Sequence, residues 1–327
     1  MDAPQQQRSG AETQRRRWPI PVRPSTRAFT REARRLPGFG FIDWLHGYAY
    51  ARWPYLYISI GTGEHLIAGV LGPPVRLLGK LFPEKPNEDS ETGTIADGYH
   101  GKVVPLEAAA QLVTVEEDVT LGELEQAIPY RRAREIVLQN PDHIVVLDCP
   151  CRTSRPDPCL PLDVCLIIGE PFAAFVAEHN PNRSRWISQE EAVEILRAEQ
   201  ERGHVSHAFF KDAMLGRFYA ICNCCSCCCG AMQAHQHGTP MLISSGYVAR
   251  VDADLCAGCE TCVEFCQFAA ISVNGGGAAI DEAACMGCGV CVAPCPQEAI
   301  ELVRDPSKGE PLEIQKLIAE AAMTAQH

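Results

Sequence analysis

Two cysteine runs near the carboxyl end constrain this fold more than any other stretch. The first is Cys256-Ala-Gly-Cys259-Glu-Thr-Cys262-Val-Glu-Phe-Cys266. The second, Cys285-Met-Gly-Cys288-Gly-Val-Cys291-Val-Ala-Pro-Cys295, follows at an offset of 29 residues. Each reads C-x2-C-x2-C-x3-C. The echo extends to Asp252 with Asp281, Ala270-Ile271 with Ala299-Ile300, and Val273 with Leu302. A copy at fixed offset marks a duplicated structural unit.

The spacing selects the chemistry. Three thiols at x2 spacing converge around one tight loop, and a fourth must come from elsewhere. That is the ligand demand of a cubane iron–sulfur cluster. In a two-cluster arrangement the last cysteine of each run serves the other cluster. The expected ligands are therefore Cys256, Cys259, Cys262 and Cys295 for one [4Fe-4S] cluster, and Cys285, Cys288, Cys291 and Cys266 for the second. Gly258, Gly287 and Gly289 let the backbone come close and aim N–H groups at sulfur. Pro296 follows the last ligand, whereas Gln267 stands at the matching place after Cys266. Zinc would use two C-x2-C pairs and leave four cysteines idle. A disulfide framework belongs to small secreted domains. Residues 248–305 resemble a bacterial-type two-[4Fe-4S] ferredoxin domain. That resemblance implies two short βα-type units, strands at Tyr247 to Val251 and Ala279 to Asp281, and one-electron transfer at low potential.

Charge narrows the partners. The chain of 327 residues carries a net charge of −12, which argues against nucleic acid and suits docking on basic patches of redox proteins. Residues 250–327 hold 12 acids and 4 bases, while residues 1–35 hold 9 arginines and 3 acids. Eighteen cysteines with no secretory signal point to a reducing cytoplasm and to metal ligation.

Along the chain, residues 1–37 read as a disordered basic tail. Arg15-Arg16-Arg17 lacks the apolar stretch an export signal needs. Residues 38–99 read as an apolar docking segment and linker. Its longest uncharged stretch, Leu66 to Val75, is too short to span a membrane, so packing is expected, with peripheral membrane contact as the alternative. Residues 100–246 should form a cysteine-rich α/β-type domain, 247–305 the two-cluster domain, and 306–327 a tail helix. The fold class is α+β overall. Helices are expected from Thr120 to Ile128, from Pro129 to Gln139, from Pro171 to His179, and from a capping box at Ser188 to Gly203. His143 to Asp148, Val164 to Ile168 and Phe218 to Ile221 read as strands.

Ten cysteines lie outside the duplicated runs. Cys149-Pro-Cys151-Arg152 ends the HIVVLD strand, Cys159 and Cys165 follow, and Cys222-Asn-Cys224-Cys225-Ser-Cys227-Cys228-Cys229 ends another. In extended backbone alternate residues share a face, so Cys149 pairs with Cys151, Cys222 with Cys224, and Cys225 with Cys227 and Cys229. Cys149, Cys151, Cys222 and Cys224 are the candidates for a third metal centre, an Fe–S cluster first. Arg152 would offset thiolate charge there. Zinc, a dithiol couple and inert thiols are the alternatives. Cys165 is expected to be a core residue, and His204, His207, His235 and His237 to be surface or satisfied groups. Cys149 to Arg152 and Cys222 to Cys229 are also similar to runs in a group of cysteine-rich iron–sulfur proteins of anaerobes. No nucleotide loop or metalloprotease motif occurs, and nothing names a small-molecule substrate. The expected function is single-electron relay. An oxidoreductase with a catalytic cluster on the amino-side cysteines is the rival, and a metal or redox sensor the third class.

Overall fold

The computed structural model of the chain describes residues 22–64, 94–122, 124–130 and 134–324. Helices α1 (Pro24–Ala33), α2 (Phe41–Arg52) and α3 (Pro54–Gly61) come first. Strand β1 (Tyr99–Val103), helix α4 (Leu106–Val113) and strands β2 (Val119–Leu121), β3 (Ile136–Leu138) and β4 (Ile144–Asp148) follow. Then come the helical turn α5 (Pro150–Thr153), β5 (Asp163–Ile168), α6 (Phe172–His179), β6 (Ser184–Ile187), α7 (Gln189–Glu201), β7 (Val205–Lys211), β8 (Arg217–Cys224), α8 (Gly230–Gln236) and β9 (Leu242–Ile243). The carboxyl part holds β10 (Tyr247–Val251), α9 (Thr261–Phe265), β11 (Ile271–Val273), β12 (Ala278–Ile280), β13 (Ile300–Arg304) and α10 (Ile314–Thr324).

A seven-stranded sheet in the order β6-β4-β5-β8-β7-β1-β9 forms the centre. Its pairings are antiparallel except β1 with β9. The expected α/β alternation is thus corrected to α+β: strands and helices alternate in sequence, but neighbouring strands run in opposite directions. The HIVVLD run explains the sheet's two-sided burial. Ile144 and Val146 join Leu112 of α4 and Leu196 of α7 on one face. Val145 and Leu147 join Phe172 and Phe175 of α6 on the other, with Phe29 of α1. Helix α7 starts where Ser188 Oγ accepts the Glu191 N–H at 3.2 Å.

Beyond the sheet, β10 pairs with β13 and β11 with β12, both antiparallel. Val248, Ala249, Ala270, Ile271 and Ile300 close a small core around Cys262, Cys285 and Cys291. The chain then returns to the large sheet. Leu312 and Ile314 are buried in the same apolar layer as α4 and α7, and buried Lys102 of β1 donates to the Glu310 carbonyl at 2.7 Å.

Three expectations need correction. Residues 24–33 are not a disordered tail: Phe29 of α1 is buried against Phe172 and Phe175, and Ser25 N–H donates to Glu178 Oε2 at 3.0 Å. Arg15 to Arg17 and Leu66 to Val75 lie outside the described residues. The helix expected from Thr120 is replaced by β2, and the one expected to Gln139 ends instead in β3. Val119, Leu121, Ile136 and Leu138 are buried by pairing, and that long-range gain overrides the local helix preference. Helices α2 and α3 pack inward through Trp44, Tyr48, Tyr50 and Tyr55. Gly47 sits so close to the Ala213 carbonyl that a Cβ would lie 2.0 Å from its oxygen. Among the described residues no helix is long and apolar enough to cross a membrane.

Candidate metal centres

The duplicated runs fold into two small thiol-lined cavities. One is bordered by Cys256, Cys259, Cys262 and Cys295. The other is bordered by Cys266, Cys285, Cys288 and Cys291. In each, the last thiol comes from the opposite run. Backbone N–H groups reach the sulfurs: Ala278 to Cys256 at 3.3 Å, Ala299 to Cys295 at 3.3 Å, Ala270 to Cys266 at 3.2 Å and Ala249 to Cys285 at 3.5 Å. Four convergent thiols with amide donors on sulfur fit a thiolate-ligated cluster, whose negative charge such donors stabilise. Gly287 has φ +64, and a Cβ there would fall 2.1 Å from the Tyr247 carbonyl oxygen. This ligand loop therefore closes against β10 only with glycine.

The other ten thiols divide. Strands β4 and β8 flank β5, so their carboxyl ends lie on the same side of the sheet. Cys165 of β5 is directly opposite Cys222 of β8. The Cys165 thiol adjoins those of Cys149 and Cys222, Cys149 adjoins Cys151, and Cys151 and Cys224 each adjoin Cys229, all as free thiols. The four expected thiols, Cys149, Cys151, Cys222 and Cys224, line one cavity together with Cys165 and Cys229, and Cys225 and Cys228 reach its edge. One detail differs from expectation: Cys149 and Cys151 meet through the helical turn α5, not through strand alternation. Cys165 is buried in the core, as expected, and also lines the cavity. The Cys149 thiol is pushed up to about 12 by its bond to Cys151, with burial adding to it. The Cys224 thiol is also pushed up to about 12: Cys229 lowers it, but burial together with the neighbouring Cys222, Cys149 and Cys151 outweighs that. Thiols so placed are neutral, and a metal must displace their protons.

That cavity measures about 530 Å³. Its opposite wall carries Tyr50, Tyr57, Tyr99 and Lys211. Lys211 Nζ stands 4.8, 5.6 and 4.5 Å from the ring centres of Tyr50, Tyr57 and Tyr99. Burial pushes this ammonium down to about 8. Tyr50 and Tyr219 share a hydrogen bond of 2.7 Å.

The remaining four thiols, Cys159, Cys225, Cys227 and Cys228, gather at the outer end of the same region. The expected shared face of Cys225, Cys227 and Cys229 is therefore corrected. A turn follows β8, sending Cys227 outward and Cys229 inward.

Several residues that build these sites escaped the sequence. Asn223 holds β8 in place: its Nδ2 donates to the Val164 carbonyl at 3.0 Å and its Oδ1 accepts from Ser206 Oγ at 2.8 Å. Arg152, expected to offset thiolate charge, is instead paired with Glu199 at 2.6 Å, both side chains 1% exposed. It also donates to the Asn223 carbonyl. His204 and His207 are buried, and His204 Nδ1 lies 2.7 Å from Glu199 Oε2. Glu199 lies two residues before the helix end in an acidic stretch, and its burial against Arg152 and His204 sets it apart from the exposed Glu194 and Glu201.

No curated protein matches the chain. A family model described as a 4Fe-4S dicluster domain matches residues 249–302. The carboxyl-terminal part of the chain is accordingly a 4Fe-4S domain of the ferredoxin type.

Proposed function

We propose that this chain is an iron–sulfur electron-transfer protein or redox subunit. Two [4Fe-4S] clusters, one on Cys256, Cys259, Cys262 and Cys295 and one on Cys285, Cys288, Cys291 and Cys266, pass single electrons between a partner protein and a third centre. That third centre is held by the inner thiols, Cys149, Cys151, Cys222 and Cys224 first among them. The boundaries follow: a cysteine-rich unit over 100–246 and a two-cluster unit over 247–305. The resemblance of Cys149 to Arg152 and Cys222 to Cys229 to runs in cysteine-rich iron–sulfur proteins of anaerobes supports this division.

One observation carries the proposal. Met286, Val290 and Cys288, which border the second ligand group, pack in the same apolar cluster as Cys149, Cys224 and Cys229. The two thiol-bearing parts thus share one apolar layer, and Ser226, next to Cys225, donates to Gln267, next to Cys266; this supports the contiguity a relay requires. The thiols bind the metal, and the amides on sulfur together with local burial set its potential.

A second reading is favoured by the cavity itself. At about 530 Å³ it falls within the size range of small-molecule sites. Thiols on one wall and the Lys211–tyrosine wall opposite would suit reduction of a small molecule at the inner centre, with Lys211 placed to orient it.

Anaerobic purification with iron and sulfide counts and EPR tests the proposal. The clusters on the duplicated runs account for about eight irons per chain, and a third cubane raises this to about twelve. Replacing Cys222 and Cys224 with Ala should remove about four irons and spare the rest. A count of about eight that the replacement leaves unchanged would refute the third centre. Oxidation of the reduced protein by a small molecule without a protein acceptor would favour the second reading.

A further inference from the structure

We infer that Cys159, Cys225, Cys227 and Cys228 bind one tetrahedral metal ion, zinc or ferrous iron, at a closed structural site beside the inner thiols. Their four sulfurs all lie within 4.8 Å of one another. Cys159 Sγ is 3.1 Å from Cys227 Sγ, which is 3.6 Å from Cys228 Sγ. An ion with metal–sulfur bonds of about 2.3 Å sets its four sulfurs about 3.8 Å apart. The group is sized for that. The thiolates of a cubane stand on four different irons, and so must spread wider than neighbours on a single ion.

Sequence chemistry agrees. Cys225 and Cys228 form a C-x2-C pair, the spacing that wraps one ion, and Cys159 arrives from a distant loop. Four thiolates leave no open position, which is the mark of a structural site. The surroundings give the site a purpose. Cys159 lies in the loop between Cys151 and Cys165, and Cys225 to Cys228 lie between Cys224 and Cys229. An ion bound here ties together the two segments that supply the inner thiols. Arg155 ties the same segments, donating to the Cys228 carbonyl from Nη2 at 3.2 Å and to Gln233 Oε1 at 2.6 Å. Cys227 is exposed, so the ion can be delivered from solvent.

The inference stands whether or not the inner thiols hold a cluster, because it is read out by a different quantity. The full chain, purified without oxygen, should contain one zinc, or one iron in excess of sulfide. X-ray absorption at that metal's edge should show four sulfurs at about 2.3 Å. The C159S/C227S double variant should lose that single ion, keep its sulfide and keep the EPR signals of reduced clusters. Should the variant fail to fold, the unaltered chain decides through one zinc with four sulfurs at the zinc edge, or through an iron count one above sulfide. Loss of about four irons with their sulfide would instead assign these thiols to a cluster. A Cys159–Cys227 disulfide in protein kept free of oxygen, or metal content unchanged by the substitutions, would overturn the inference.

Discussion

Gln267 Oε1 accepts two hydrogen bonds from Ser226, one from its backbone N–H at 2.9 Å and one from its hydroxyl at 3.0 Å. Gln267 follows Cys266, the last cysteine of the first run, at the place where its repeat partner is Pro296. Ser226 lies inside the other cysteine-rich run. The departure from the repeat is therefore the latch between the two thiol-bearing regions. Proline cannot make either bond.

Gln267→Ala removes the latch and no ligand. Two such bonds contribute about 1–3 kcal/mol together, and each 1.4 kcal/mol lost lowers the docking constant about tenfold. Iron and sulfide should be unchanged, while freeze-quench EPR should show slower passage of an electron from the ferredoxin-type pair to the inner centre. An unchanged rate would detach Gln267 from the transfer path.

Gly258 and Gly287 occupy equivalent places in the repeat with nearly equal φ, +65 and +64. Their surroundings differ. A Cβ at 258 meets nothing nearer than Val273 Cγ1 at 3.9 Å, whereas one at 287 collides with the Tyr247 carbonyl and with Ser245 Oγ at 2.4 Å. Gly258→Ala should cost about 1–2 kcal/mol from backbone strain alone. Gly287→Ala should cost about 4 kcal/mol or more and remove the signals of the second cluster. Iron counts and thermal melts on both variants compare the two positions directly.

Glu199 neutralises Arg152 in a buried pair, so Glu199→Gln leaves a buried guanidinium without its counter-charge. The expected loss is about 3–5 kcal/mol, read by anaerobic denaturant unfolding. Burial opposes ionisation of Glu199, but His204 and Arg152 outweigh it and hold the carboxyl below its ordinary value of 4.5. A depressed carboxyl contributes stability that is present above the ordinary value and lost as pH falls beneath it. Wild type should therefore weaken on acidification below about 4.5 more steeply than the variant does.

Lys102 shows the opposite case. Burial, aided by Arg304, pushes its ammonium from 10.5 down to about 7. Between these values the unfolded chain binds the proton and the folded chain does not, so this group makes stability rise with pH from about 7 to 10.5. Lys102→Met should flatten that rise. A melt series of both proteins across this window checks it, and parallel curves would exclude Lys102 as the source.

What could be read in advance was whatever is encoded by neighbours in sequence. The C-x2-C spacings, the β-branched HIVVLD strand and the Ser188 cap each carry their own geometry. What could not be read depends on chain segments far apart. The ten amino-side cysteines look like one reservoir in the sequence, yet Cys159 and Cys227 are joined only because the loop after α5 returns to the turn after β8. Cys165 looks like an apolar strand residue until its partner across the ladder proves to be Cys222. Thr120 begins a fair helix pattern, and only Ile136 to Leu138, pairing from downstream, turns it into a strand. Gln267 showed as a departure from the repeat, but Ser226, its reason, is 41 positions away.

Helices α2 and α3 supply Tyr50, Tyr57 and Ile58 to the cavity that Cys149, Cys222 and Cys224 also line. The ribosome therefore releases this roof well before the strands it must cover. During that interval its aromatic underside has no floor, and the thiols emerge later beneath a cover already made. If the inner thiols hold the metal proposed for them, these early-made helices form part of the wall around it.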